Sequence, residues 1–297
     1  MLSRRNFLGK AAGVGAAVFG TLGLHSNIVS AAPSASYLQA EAGKSRLYDI
    51  LKRGKVVVGT GSGNPPWHFE DESGNLQGFD IEMAKLLANG LFSKPDAVEF
   101  VREKSDARVP NLQGDKVDIV FQFMTVNANR AQLAEFTIPY YREGANTLLM
   151  KDSKYNGAPD LAAEGDKVTV SVLQNVFAEE LVHKTMPKAK VLQLDSQANV
   201  MLALDSGRVD AAVVDDSTVR WMVAQEPDKY KVGTVGWYPQ TYSAAVKPGD
   251  PIWLNFVNTV LHEAMTGVDF DTYAAAFKKY FGAELPPPQT GFPVEFK

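Results

Sequence analysis

The chain has 297 residues, 45% of them apolar and 22% charged, with a formal net charge of −4, four histidines and no cysteine. These are the proportions of a globular protein with room for one large domain or two modest lobes, and an acidic balance argues against a nucleic-acid or anionic-membrane partner. Without cysteine there are no disulfides, thiolate chemistry or lipidated-cysteine anchor, and so few histidines argue against a zinc cluster, so no cofactor or metal is indicated.

The first segment, Ser3-Arg4-Arg5-Asn6-Phe7-Leu8-Gly9-Lys10, precedes an apolar run over residues 11–24 that contains four glycines. That run is too short to span a bilayer. Paired arginines ahead of it, small residues at 29–32 and no acid before Glu41 predict a twin-arginine export signal over residues 1–32. Removing Arg4, Arg5 and Lys10 takes the net charge from −4 to about −7. The mature protein is therefore expected in the periplasm.

After a loose entry segment, Lys55-Val56-Val57-Val58-Gly59 reads as a buried strand, and Asp80 as the cap of a helix burying Ile81, Ala84, Leu87 and Leu91. Strands follow at 98–101 and 118–121, with a short helix between them. Asn127 reads as the cap of a helix holding Arg130 and Leu133. The pattern then restarts with a strand at 167–170 and a helix over about 176–186. Leu112-Gln-Gly-Asp-Lys-Val-Asp-Ile-Val aligns without gaps on Leu204-Asp-Ser-Gly-Arg-Val-Asp-Ala-Ala, so one helix–turn–strand unit is used in each half. Asp250-Pro251 opens a helix, and another runs over about 269–281 to stop at Gly282. Strands alternating with helices predict an α/β protein of two similar lobes with mainly parallel sheets. The chain is expected to cross between lobes near 147–150 and again near 241–246, a two-strand hinge. Lobe 1 then comprises 46–147 and 243–282, lobe 2 comprises 148–242, and 283–297 form an extended Pro-rich tail.

The echo places Phe123-Met124-Thr125 and Val214-Asp215-Asp216 beyond the C-terminal ends of equivalent strands, where open α/β sheets bind ligands. Arg130 is an arginine fork suited to a carboxylate, or else a solvated surface residue. Asp215 could take a ligand ammonium or cap the helix that follows. Arg108 could hold a second anionic group, or pair with Asp106 or Glu103. Asn64-Pro65-Pro66-Trp67-His68-Phe69 is a rigid loop near the expected cleft, whose aromatics face either ligand or core. Catalytic patterns are poor: there is no G-x-S-x-G elbow, P-loop or G-x-G-x-x-G.

Several short motifs occur in a specific order: Val58-Gly59-Thr60, Pro65-Pro66-Trp67, Gly78-Phe79-Asp80, Lys116-Val117-Asp118, Met124-Thr125 with Arg130, Phe136-Thr137-Ile138-Pro139-Tyr140-Tyr141 and Gly207-Arg208-Val209-Asp210-Ala211. Through these, from about Arg46 to Phe281, the chain resembles the polar amino-acid-binding family of type II periplasmic solute-binding proteins, the receptors of ABC importers. The resemblance implies a ligand α-carboxylate gripped by Arg130 and Thr125, and an α-ammonium on Asp215. It implies closure by hinge motion, delivery to an inner-membrane ABC permease, export by the Tat translocase, and a monomer without cofactor. Ser105-Asp106-Ala107-Arg108 is similar to members that take glutamate or aspartate, in which the arginine helps hold the second carboxylate. The chain departs from the family where Gln174-Asn175-Val176-Phe177 replaces Gln-Gly-Thr-Thr, where Asn64 replaces an aromatic residue, and at Phe123. Phe123 and Phe177 are thus expected to line the pocket and to suit a larger or less polar ligand. Two rivals are a dehydratase-like enzyme on the same scaffold, with Glu179 or His183 as its acid, and a sensory binding module.

Overall fold

The three-strand apolar pattern of the first half builds a parallel sheet in which Val56–Thr60 lies between Val98–Arg102 and Ile119–Thr125. The computed structural model describes residues 33–175 and 177–291; the expected export signal, Val176 and residues 292–297 lie outside them. A parallel sheet must be covered on both faces. One face of this one packs under the helices Phe79–Phe92, Pro251–Thr266 and Phe270–Phe281, with Val56, Val58 and Phe121 against Met83, Leu87, Trp253 and Val257. The other face, with Val120 and Met124, meets Leu112 of the short helix Arg108–Gln113.

The second half repeats the arrangement. Thr169–Leu173 lies between Lys190–Leu194 and Ala211–Asp215, all parallel, and apolar clusters cover both faces. Each three-strand set is completed by an antiparallel strand, and those two strands join the halves. Tyr141–Met150 pairs with Ala211–Asp215, Trp237–Val246 pairs with Ile119–Thr125, and the two pair with each other, so one sheet runs through both lobes. The fold is α/β, two similar lobes joined by two hinge strands, of the periplasmic-binding-protein type II. Tyr141–Glu143 face Gln240–Tyr242, whereas Thr147 and Leu148, expected at the crossing, already pair with Val213 and Ala212 of the second lobe.

The echoed aspartates do the same work twice. Asp118 Oδ2 accepts from the Val57 amide at 2.7 Å, and the Asp118 amide donates to the Val57 carbonyl at 2.8 Å. Asp210 makes the same pair with Thr169, at 2.8 Å in each direction. Each splices the start of a third strand to the start of a first one, which sets their register.

Several caps follow the sequence. Asn127 accepts from the Arg130 amide, Asp250 from the Trp253 amide, and Gly282 ends the last helix at φ 72. Asp80 is a correction. The cap is Gly78, whose φ of 127 and approach to the Trp67 carbonyl, 2.1 Å from where a Cβ would sit, leave room only for glycine. Asp80 lies one residue inside the helix and is fully buried. It accepts from the Phe123 amide (2.9 Å) and the Tyr140 hydroxyl (2.6 Å), with His68 Nδ1 at 2.8 Å. The expected helix over 176–186 is also shorter, running Ala178–His183.

Asp118 carries both a strand amide and an ion pair with Arg53 at 4% exposure, so Asp118→Ala should lower unfolding free energy by about 2–3 kcal/mol. Chemical denaturation of the variant against the parent protein measures this directly.

Candidate functional site

Between the lobes lies a cavity of about 870 Å³ at the C-terminal ends of the parallel strands. Of the eight residues expected to contact ligand, Asn64, Arg108, Phe123, Thr125, Arg130, Phe177 and Asp215 line it. Trp67 does not. It is fully buried, edge-on to Phe79, Tyr141 and Tyr242, and belongs to the core.

On the first lobe, Asp80 aims the cavity wall. By holding the Phe123 amide it fixes the end of Ile119–Thr125, where Phe123 sits at φ 33, a left-handed conformation unusual for a side-chain-bearing residue. The His68 ring lies flat against Phe123 at 4.6 Å, and burial lowers its pKa, which leaves the imidazole neutral with Nδ1–H donating to Asp80. Beyond Phe123, Thr125 Oγ1 donates to Gln240 Oε1 at 3.1 Å, and its carbonyl accepts from the Arg130 guanidinium at 3.0 Å. Arg108 is 5% exposed. It donates to the carbonyls of Ser105 and Gln122, and no carboxylate lies within ion-pair distance among the described residues, so the expected pairing with Asp106 or Glu103 is not made. Burial, with Arg130 nearby, pushes its pKa down to about 10; burial also lowers that of Arg130. Two guanidinium groups thus line one cavity, with Glu103 and Asp80 the first-lobe carboxylates whose charge reaches Arg108.

The second lobe supplies the opposite charge. Asp215 ends an apolar strand and lines the cavity, whereas Asp216 turns away to Asn146 and Arg220. Asp215 follows the cavity reading; its side chain caps nothing. Burial pushes its pKa up to about 6, opposed by the nearby Tyr242 hydroxyl and the Arg108 charge. Phe177 places its ring 5.3 Å from the Arg130 guanidinium across the cleft. Its amide is occupied by Asn175 Oδ1 at 2.9 Å, so the amide that could have reached a ligand carboxylate is already taken.

Further contacts hold the lobes together behind the cavity. Asn64 Nδ2 donates to Gln197 Oε1 of the second lobe at 2.8 Å. Trp67 Nε1 donates to Ser217 Oγ at 2.9 Å, and Ser217 Oγ in turn donates to Glu143 on the hinge strand. This chain links a first-lobe loop, the start of a second-lobe helix and the crossing itself. Glu143 is 5% exposed; burial, then the nearby Asp215, push its pKa up to about 8. The residues that sequence reading missed are those of the second hinge strand, Tyr238, Gln240 and Tyr242, together with Gln197, Arg142 and Lys184. The expected crossing at 241–246 was the available signal for Tyr242, because a strand between two lobes must floor the cleft.

Two outcomes follow from these contacts. Glu143 and Asp215 have folded pKa values above their unfolded values near 4, so between those limits the folded state holds more protons. Stability of the ligand-free protein should therefore be highest near pH 4–5 and fall as pH rises to about 8, with Glu143→Gln flattening the upper part; melting curves across pH test this. Ser217→Ala leaves Trp67 Nε1 and Glu143 without their shared partner and should cost about 1–3 kcal/mol, measured by denaturation.

The family model described as bacterial extracellular solute-binding proteins, family 3, matches residues 56–283. The chain is 30% identical over 201 residues to the glutamine-binding protein of Geobacillus stearothermophilus, covering 65% of this chain and 73% of that one. It is 26% identical over 231 residues to the cyclohexadienyl dehydratase of Pseudomonas aeruginosa, covering 75% and 82%. A solved structure of an ancestral amino acid-binding protein, a precursor of cyclohexadienyl dehydratase, superposes with a TM-score of 0.71 at 33% identity, over 80% of this chain and 100% of that one. The protein belongs to the bacterial extracellular solute-binding proteins, family 3.

Proposed function

We propose that the protein is the periplasmic receptor of an ABC importer for an amino acid or related small carboxylate, with an acidic or polar one favoured. The observation that carries this reading is the opposition of charge across one buried cavity: Arg108 and Arg130 on the first lobe, Asp215 on the second. A zwitterion bridges them, with its carboxylate on the Arg130 fork and Thr125 and its ammonium on Asp215. Arg108 keeps a second acidic group close. Lobe 2, residues 148–242, closes on lobe 1 by hinge motion, and the closed form presents both lobes to an inner-membrane permease. Residues 1–32 serve as the twin-arginine signal, and the mature chain acts as a monomer.

Relatives named for glutamine and cystine binding support the ligand class. The dehydratase relative keeps an enzymatic reading in view. Its expected acids are badly placed for it: neither Glu179 nor His183 lines the cavity. Glu179 is bonded by Gln193, and His183 Nε2 lies against the Ala189 carbonyl. Binding without turnover is the reading we adopt.

Arg130→Ala should abolish binding, with a loss of about 2–5 kcal/mol, because the ligand carboxylate is then left in the cleft without its guanidinium partner. The variant should melt within a few degrees of the parent protein after both are stripped of ligand by unfolding and refolding. Calorimetric titration with a panel of amino acids and dicarboxylates reads the binding. Undiminished affinity in the variant would sink the assignment.

A further inference from the structure

The cavity is larger than the proposed ligand needs. An amino acid such as glutamate has ten non-hydrogen atoms and fills at most roughly 300 Å³, at about 30 Å³ for each water-sized group. The cavity measures about 870 Å³ although the lobes already touch through Asn64–Gln197, Trp67–Ser217 and Arg130–Phe177. Arg130 and Asp215 account for only part of its lining, leaving an outer space lined by other residues.

That outer space has a built wall. Between Trp237 and Gln240 the hinge strand carries one residue more than its partner, so that Trp237 faces Ala145 while Gln240 faces Glu143. Such a bulge re-aims a side chain. Here it puts Tyr238 at φ 57, in the left-handed region, and turns it toward the second lobe. The segment 178–184 holds it there: the Tyr238 hydroxyl donates to Glu180 Oε1 at 3.4 Å, and Lys184 Nζ lies 5.0 Å from the ring centre. Phe177 forms the boundary with the inner space, where its ring meets Arg130. Arg142 and Lys184, both solvent-exposed, line the outer space together with the carboxylate of Glu180. Two aromatic faces, with two cations against the one carboxylate of Glu180, suit a planar or apolar stem ending in an anion.

Resting on the receptor reading above, we propose that the cavity takes a two-headed ligand: an amino acid joined through a planar or apolar linker to a distant second carboxylate. Arg130, Thr125 and Asp215 hold the amino-acid head. Phe177 and Tyr238 flank the linker, and Arg142 with Lys184 bind the far carboxylate. Free glutamate and aspartate fill only the inner part.

Calorimetric titration of the refolded mature protein with L-glutamate, L-phenylalanine and γ-L-glutamyl-L-phenylalanine tests this. The dipeptide should bind at least tenfold more tightly than either amino acid. Lys184→Ala with Arg142→Ala should bring the ratio of dipeptide to glutamate affinity down toward one, whereas Tyr238→Phe, which keeps the ring, should preserve it. Glutamate binding as tightly as the dipeptide, or a double variant that leaves the ratio unchanged, would overturn the two-headed ligand and leave the receptor reading standing. No binding by any of the three, nor by a wider panel of amino acids and dipeptides, would overturn both.

Discussion

Neither lobe can finish its own sheet, and the site depends on that constraint. Three parallel strands end at a free edge, and in each half the missing neighbour is one of two long strands shared by both halves. Because those strands pair with each other, the register that completes the sheets also sets the site. Asp215 stands opposite Ala145 on one hinge strand, and Thr125 opposite Tyr242 on the other. Asp215 and Thr125, on the two walls of the cleft, are thereby fixed to a common ladder of backbone hydrogen bonds.

Burial turns this geometry into affinity. In water an arginine and an aspartate at cleft distance would interact weakly, but here Arg108 and Asp215 are desolvated enough for their pKa values to move toward the neutral forms. Each lobe holds its charge at a desolvation cost. Glu143 extends this to the hinge. It sits behind the cavity, bonded to Ser217 and close to Asp215, so the charge state of the site and the contact that joins the lobes are linked through neighbouring carboxyls.

What the sequence made legible was whatever a short stretch determines. The repeated Lys/Arg-Val-Asp unit located two equivalent strands because Asp118 and Asp210 each accept from an amide of the strand beside them. Arg130, Thr125 and Asp215 line the cavity, as expected of residues at or just beyond strand ends in such a sheet. Trp67 was not, since its direction is decided by Ser217, 150 positions away. Asp80 looked like a cap because a carboxylate near a helix start usually is one; its partners at 68, 123 and 140 come from three separate elements. Tyr238 had no sequence signal, because the bulge that aims it arises from the match between two strands and not from either alone.

The central claim is that one small zwitterion bridges the lobes between Arg130 and Asp215. A crystal structure of the protein purified under native conditions, with whatever ligand it carries from the cell, tests this most directly. The expected result is a bound compound with a carboxylate within hydrogen-bond distance of Arg130 and an amine within hydrogen-bond distance of Asp215. A ligand in the cavity that touches neither residue, or one bound elsewhere while the cleft stands open, would contradict it.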